Sequence, residues 1–147
     1  MKRLMTTAMV LALGATAVMA EDGKTLFEQN CASCHITHQP QTRQEKMNLT
    51  APPAAGVMWH IKQDFDTKAN AIDFIVDYAK HPDAKKAICP SIRRFGVMPP
   101  GLASHLSDDQ LRLIAEYWYD NYPPADYRHP KGMGMGRGMG GGMGMGR

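Results

Sequence analysis

The sequence predicts a small all-α domain of about four helices. Three observations carry this reading. Apolar residues recur at helical spacing after Thr67 and again after Ser107, residues able to cap a helix stand where those segments begin, and no run alternates apolar with polar residues long enough to make a strand. Prolines and glycines gather between the periodic segments, where they mark connections.

The expected domain spans residues 21–127 and lies between two segments outside the fold. Residues 1–20 read as a signal peptide. Lys2 and Arg3 give a positive start, Met9 to Val18 form an apolar run, and Val18 and Ala20 are small residues placed for cleavage after Ala20. The run is shorter than the roughly 20 residues that cross a bilayer, although an uncleaved anchor is the alternative. A periplasmic protein with no integral span in its mature chain follows. Residues 128–147 read as a disordered Met/Gly-rich tail, because glycine at almost every second position from Lys131 onward loses too much backbone entropy in a helix or strand. Its thioethers, Met133, Met135, Met139, Met143 and Met145, are soft ligands that suit Cu(I). Plain disorder and a docking or membrane contact are the other readings.

Lys2 and Arg3 leave with the leader, so the 17 basic residues fall to 15 against 14 acidic ones. A nearly neutral chain lacks the basic footprint that nucleic acid requires.

The first helix is expected over Asp22 to Cys34, with Phe27 and Cys31 on one face. From Ile36 to Gly56 the chain is polar and irregular, punctuated by Pro40, Pro52 and Pro53, and reads as a loop wrapping a cofactor. A helix from about Thr67 to Lys80 carries Ala71, Phe74, Ile75, Tyr78 and Ala79 on one stripe. A short helix is expected from Asp83 to Ile88. The last helix starts at Ser107, which forms an S-x-x-Q capping box with Gln110. Its stripe is Leu111, Ile114, Ala115 and Trp118, and Pro123 and Pro124 end it.

The cysteines narrow the function. Cys31-Ala32-Ser33-Cys34-His35 is a C-x-x-C-H sequence, the attachment signal for haem c. Two thiols three residues apart on a helical turn reach the two vinyl groups on one porphyrin edge, and His35 then lies under the iron. A thioredoxin-like redox pair would want a β-α-β pattern, which the sequence lacks. Cys89 reads as a small buried apolar residue, with a dimer disulfide or a redox-sensitive thiol as alternatives.

A second iron ligand is sought in Phe95-Gly96-Val97-Met98-Pro99-Pro100-Gly101. Pro and Gly at this density stiffen a loop around Met98, whose neutral thioether suits low-spin haem iron and raises its potential. Met58, His60 and His105 compete. His60 would give bis-His ligation, but reads first as a surface or propionate-neighbouring residue. His38 is too near His35 to reach the other face, and His81 and His129 stand beside prolines in exposed turns.

With these residues in place, the chain resembles a class I cytochrome c, and in detail the small periplasmic monohaem cytochromes with an R-F-G-x-M-P-P segment, here Arg94 to Pro100. The resemblance covers about Asp22 to Tyr122. It implies crossed N- and C-terminal helices around one covalent haem c, with Gly23, Phe27, Leu111 and Trp118 at the crossing. It also implies thioether bonds to Cys31 and Cys34, His35 and Met98 as axial ligands, and a proline carbonyl, from Pro52 or Pro53, accepting the other N–H of His35. Trp59, Arg93 and Arg94 are expected in the haem environment. Cys89 and the long loop after Cys34 depart from the pattern.

An iron held by both His35 and Met98 has no open position, so the expected function is one-electron transfer between transient redox protein partners rather than catalysis. Lys80, Lys85, Lys86, Arg93 and Arg94, against Asp83 alone, would give a positive rim that steers an acidic partner. Either arginine could instead pair with a propionate. The alternative is a haem sensor or enzyme in which Met98 leaves and a small molecule binds.

Overall fold

A computed structural model describes residues 22–129. The leader and the Met/Gly segment from residue 130 onward lie outside the described residues, and with them the expectations attached to those segments. Six helices follow one another: α1 (Gly23–Asn30), α2 (Arg43–Asn48), α3 (Ala54–Asp64), α4 (Lys68–Lys80), α5 (Ile92–Phe95) and α6 (Asp108–Asn121). Among the described residues there is no strand.

Side-chain caps set most helix starts. Asp22 accepts from the Thr25 amide at 2.8 Å. Thr67 caps α4, and Ser107 and Gln110 close a reciprocal capping box on α6. The last helix thus begins where the S-x-x-Q signal puts it.

Helix α2 arises inside the segment read as loop, and α3 begins in its last residues and runs on past Gly56. Thr42 and Glu45 make a second capping box that starts α2. This helix buries no residue, so no apolar stripe announces it. Helix α3 places Ala54, Ala55, Met58 and Ile61 inward, a helical spacing that the adjacent prolines and Gly56 obscure. Pro53 stands at its N-cap, where a missing N–H costs nothing. Conversely, residues 83–88 form no helix: 84–86 make a turn, and the single turn of α5 comes after Pro90 instead. The Asp83 side chain accepts from the Lys85 amide at 2.8 Å, a local turn that competes with a helix here.

The core joins α1, α3, α4 and α6. Phe27 is fully buried, with its ring 5.1 Å from Trp118 and 5.7 Å from Tyr117. Gly23 lies directly on α6: a Cβ there would stand 2.1 Å from the Leu113 carbonyl oxygen. Leu111 is buried beside them, so the residues expected at the helix crossing all lie in the contact between α1 and α6 or in the core next to it. Trp118 donates its indole N–H to the Ala54 carbonyl at 3.1 Å, tying α6 to the start of α3.

Three surface ion pairs join α4 to α6: Lys68–Asp120, Asp73–Arg112 and Lys80–Asp108. The partner numbers fall along α6 as they rise along α4, so the two helices run antiparallel. Exposed pairs of this kind contribute little energy each; hydrophobic contact between the helices carries most of the stability.

Candidate functional site

The chain leaves α1 without leaving its helical path at once. The Cys31 amide donates to Phe27 at 2.8 Å, and the His35 amide donates to the Cys31 carbonyl at 2.8 Å. This turn presents Cys31, Cys34 and His35 to one cavity of about 320 Å³. Pro52 and Met98 line the same cavity, with walls from α3, α4 and α6. The lining is overwhelmingly apolar, as a porphyrin requires. The cavity reaches solvent beside Cys34, Pro99 and Leu102, all of which are exposed.

His35 is held firmly. Its Nδ1 lies 2.8 Å from the Pro52 carbonyl oxygen. A carbonyl only accepts, so Nδ1 carries the proton and Nε2 keeps its lone pair for a metal. Burial pushes the imidazole below its ordinary pKa, and the Pro52 bond opposes this only in part, so the neutral ligand form prevails. The ring rests 5.1 Å from Trp118, and the Ala54 amide donates to the Ile36 carbonyl at 3.0 Å, which ties the residue after His35 to the start of α3.

Burial raises the Cys31 thiol to about 11, with Cys34 adding to the shift. The free polypeptide therefore holds Cys31 as a thiol, the form that adds across a vinyl group. Cys31, Cys34 and Cys89 form no disulfide here.

Met98 stands on the segment after α5, where Gly96 adopts a φ of 74° and Gly101 one of 84°. Only glycine takes these values without strain, so the two glycines set the bends on either side of Met98. Tyr78 of α4 meets this segment: a hydrogen bond with the Met98 backbone lowers the phenol pKa, although burial raises it more.

Four other residues expected near a haem lie outside the cavity lining. Pro53 faces away as the N-cap of α3. Arg93 and Arg94 are exposed, and Arg94 donates to the Lys46 carbonyl and covers the Phe95 ring at 4.7 Å. Trp59 stacks on His129 at 3.9 Å. It stands half-buried on the flank of α3 and is not among the residues lining the cavity. Sequence spacing alone missed Ile61, Phe74, Tyr78 and Cys89 as wall residues. Phe74 and Tyr78 stood on the apolar stripe of α4, which offered a signal but not a direction.

Cys89 is half-buried in the wall. Burial, with Asp64 contributing, lifts its thiol to about 11. It is therefore an apolar filler at neutral pH rather than a nucleophile. Cys89→Ala is expected to leave haem attachment and the visible spectrum unchanged; a dimer that disappears under reduction in the native protein but not in the variant would count against this.

A helical turn carrying two thiols and a neutral imidazole, opening on an apolar cavity with a thioether in its wall, defines a c-type cytochrome. The family model described as "Cytochrome C oxidase, cbb3-type, subunit III" matches residues 18–117, and the chain belongs to that family. Membership implies one covalently bound haem c, and the cavity fits it. A protein of Aquifex aeolicus (strain VF5), described as uncharacterized, is 28% identical over 135 residues, covering 82% of this chain and 88% of its own. No solved structure matches the chain. No helix among the described residues is long and apolar enough to cross a membrane.

Proposed function

We propose that the protein is a periplasmic one-electron carrier, with thioether bonds at Cys31 and Cys34 and axial ligation by His35 and Met98. The observation that carries this reading is the presence of a tautomer-fixed imidazole and a soft thioether in the wall of one apolar cavity. The haem, once bound, supplies an iron that changes charge by one electron with little rearrangement. The chain's own residues do the rest. Pro52 orients His35, Gly96 and Gly101 shape the Met98 segment, and the apolar wall excludes water and so sets the potential.

Partner contact would fall at the mouth of the cavity, where Leu102 remains 52% exposed. The charge around it is more balanced than the sequence suggested. Lys86 pairs with Asp77 at 2.6 Å, and Lys80 pairs with Asp108. Brief, weakly oriented docking through a small apolar patch suits a carrier that must also leave.

The test is optical and kinetic. The purified full chain should show a low-spin spectrum in both redox states, with a ferric sulfur-to-iron charge-transfer band. It should take up one electron reversibly per haem. A five-coordinate high-spin spectrum in the resting protein would overturn the assignment.

A further inference from the structure

Away from the haem cavity, the segment after α6 returns across the outer face of α3. Tyr127 approaches Gly56, Gln39 donates to the Arg128 carbonyl at 3.3 Å, and the chain then delivers His129 to His60. The two Nε2 atoms stand 3.2 Å apart. Neither histidine lines the haem cavity.

The geometry points to a binding site for a divalent transition-metal ion, Cu2+ or Zn2+, held by Nε2 of His60 and Nε2 of His129. Imidazole nitrogens bind such ions at about 2.0–2.1 Å. Two of them 3.2 Å apart would subtend roughly 100° at the ion, from those bond lengths. That is the angle between neighbouring ligands in a tetrahedral or tetragonal site, and it is far from the linear arrangement of a two-coordinate monovalent ion.

The rings are positioned before any ion arrives. His60 is fixed on a helix. His129 stacks on Trp59 at 3.9 Å with 23° between the planes, while the Trp59 edge meets His60 at 85°. Trp59 therefore sets both rings, which reduces the entropy that binding would cost. Without metal, one ring donates an N–H to the other. To ligate, the donor ring moves that proton to Nδ1, so no net proton is lost. Burial and the neighbouring His129 both hold His60 below its ordinary pKa, which keeps the neutral form available, and Asp64 one turn further along α3 opposes this weakly. Among the described residues no group of three or more His, Cys, Asp or Glu side chains gathers around a metal position. The described residues thus supply two ligands, and solvent or another donor completes the sphere. By the general order of divalent affinities, Cu2+ should bind more tightly than Zn2+.

The ferric holoprotein would be dialysed to equilibrium against micromolar ZnCl2 or CuCl2, and bound metal measured beyond haem iron. One equivalent is expected. His60→Ala and His129→Ala should each weaken retention at least tenfold, because losing a direct ligand costs no less than the roughly 10–100-fold lost with an outer partner. His129 lies near the end of the described chain, so its variant should keep the native haem spectrum, and that spectrum serves as the folding control. A chain ending at Pro130 should still hold the equivalent. Absence of bound metal, retention in both variants, or loss on truncation with both histidines intact would each overturn the site.

Discussion

Replacing Met98 with alanine should abolish the ferric sulfur-to-iron band, lower the reduction potential, and let CO bind the reduced protein rapidly. The potential should fall by on the order of 100 mV or more, within the roughly 0.8 V range that axial ligation commands. The reasoning starts from the wall of the cavity. Met98 is the one methionine among the described residues lining it, and the side chains of its chain neighbours Val97 and Phe95 have no lone pair to offer. Alanine at this position leaves an opening on an apolar lining rather than a substitute ligand. Because Gly96 and Gly101 carry the unusual backbone angles, and alanine suits the ordinary angles between them, the segment itself should survive. Spectroscopy of the variant with and without CO, together with a redox titration, checks all three outcomes. An unchanged ferric spectrum would remove Met98 from the iron and with it the saturated-iron account.

The same experiment separates a carrier from a sensor. If native ferrous protein binds CO as fast as the Met98→Ala variant, Met98 leaves readily and a small molecule becomes the natural ligand. If only the variant binds CO quickly, the native iron is closed. Cys89 and Tyr78 both lie in the wall near this segment, but each is a weaker ligand at neutral pH, because burial raises both thiol and phenol above their ordinary values. A pocket that keeps Cys89 and Tyr78 un-ionised beside a neutral imidazole and a thioether favours the soft, low-charge coordination that electron transfer needs.

What could be read from the chain, and what could not, follows from the range of the signals. Cys31, Cys34 and His35 are one local turn, so their shared direction is fixed by five residues and was legible. The capping box at Ser107 and the stripe through Trp118 were equally local. Helix α3 was not recognised, because Pro52, Pro53 and Gly56 sit at its beginning and conceal the inward spacing of Ala54, Met58 and Ile61. The position of Trp59 required knowing that helix, on whose half-buried flank it meets His129. That meeting depends on a return of the chain from α6, which also brings His129 to His60 across 69 positions, and no local pattern encodes it. Of the two adjacent prolines, the choice of Pro52 as the partner of His35 likewise depends on how α3 begins, since Pro53 is its N-cap.

Gly23→Val should be the most damaging change outside the cavity, lowering the unfolding free energy of the holoprotein by about 3 kcal/mol, the upper part of the range for overpacking. A Cβ at Gly23 would sit 2.1 Å from the Leu113 carbonyl oxygen and 2.8 Å from its carbon, and both are backbone atoms of α6 that no rotamer change can move. The only relief is to separate α1 from α6. That separation would draw Phe27 away from Trp118, and Trp118 is in turn bonded to Ala54 and packed against His35. The strain therefore reaches His35 through these contacts. Equilibrium denaturation of the ferric protein should show a lower midpoint with an unchanged slope, and the variant should attach haem in lower yield. Gly23→Ala should show the same effect in smaller measure, since the first added carbon makes the clash and the valine methyls enlarge it. A midpoint equal to the native one in both variants would mean that the two helices are not in contact at Gly23, and would undo the packing on which the position of His35 rests.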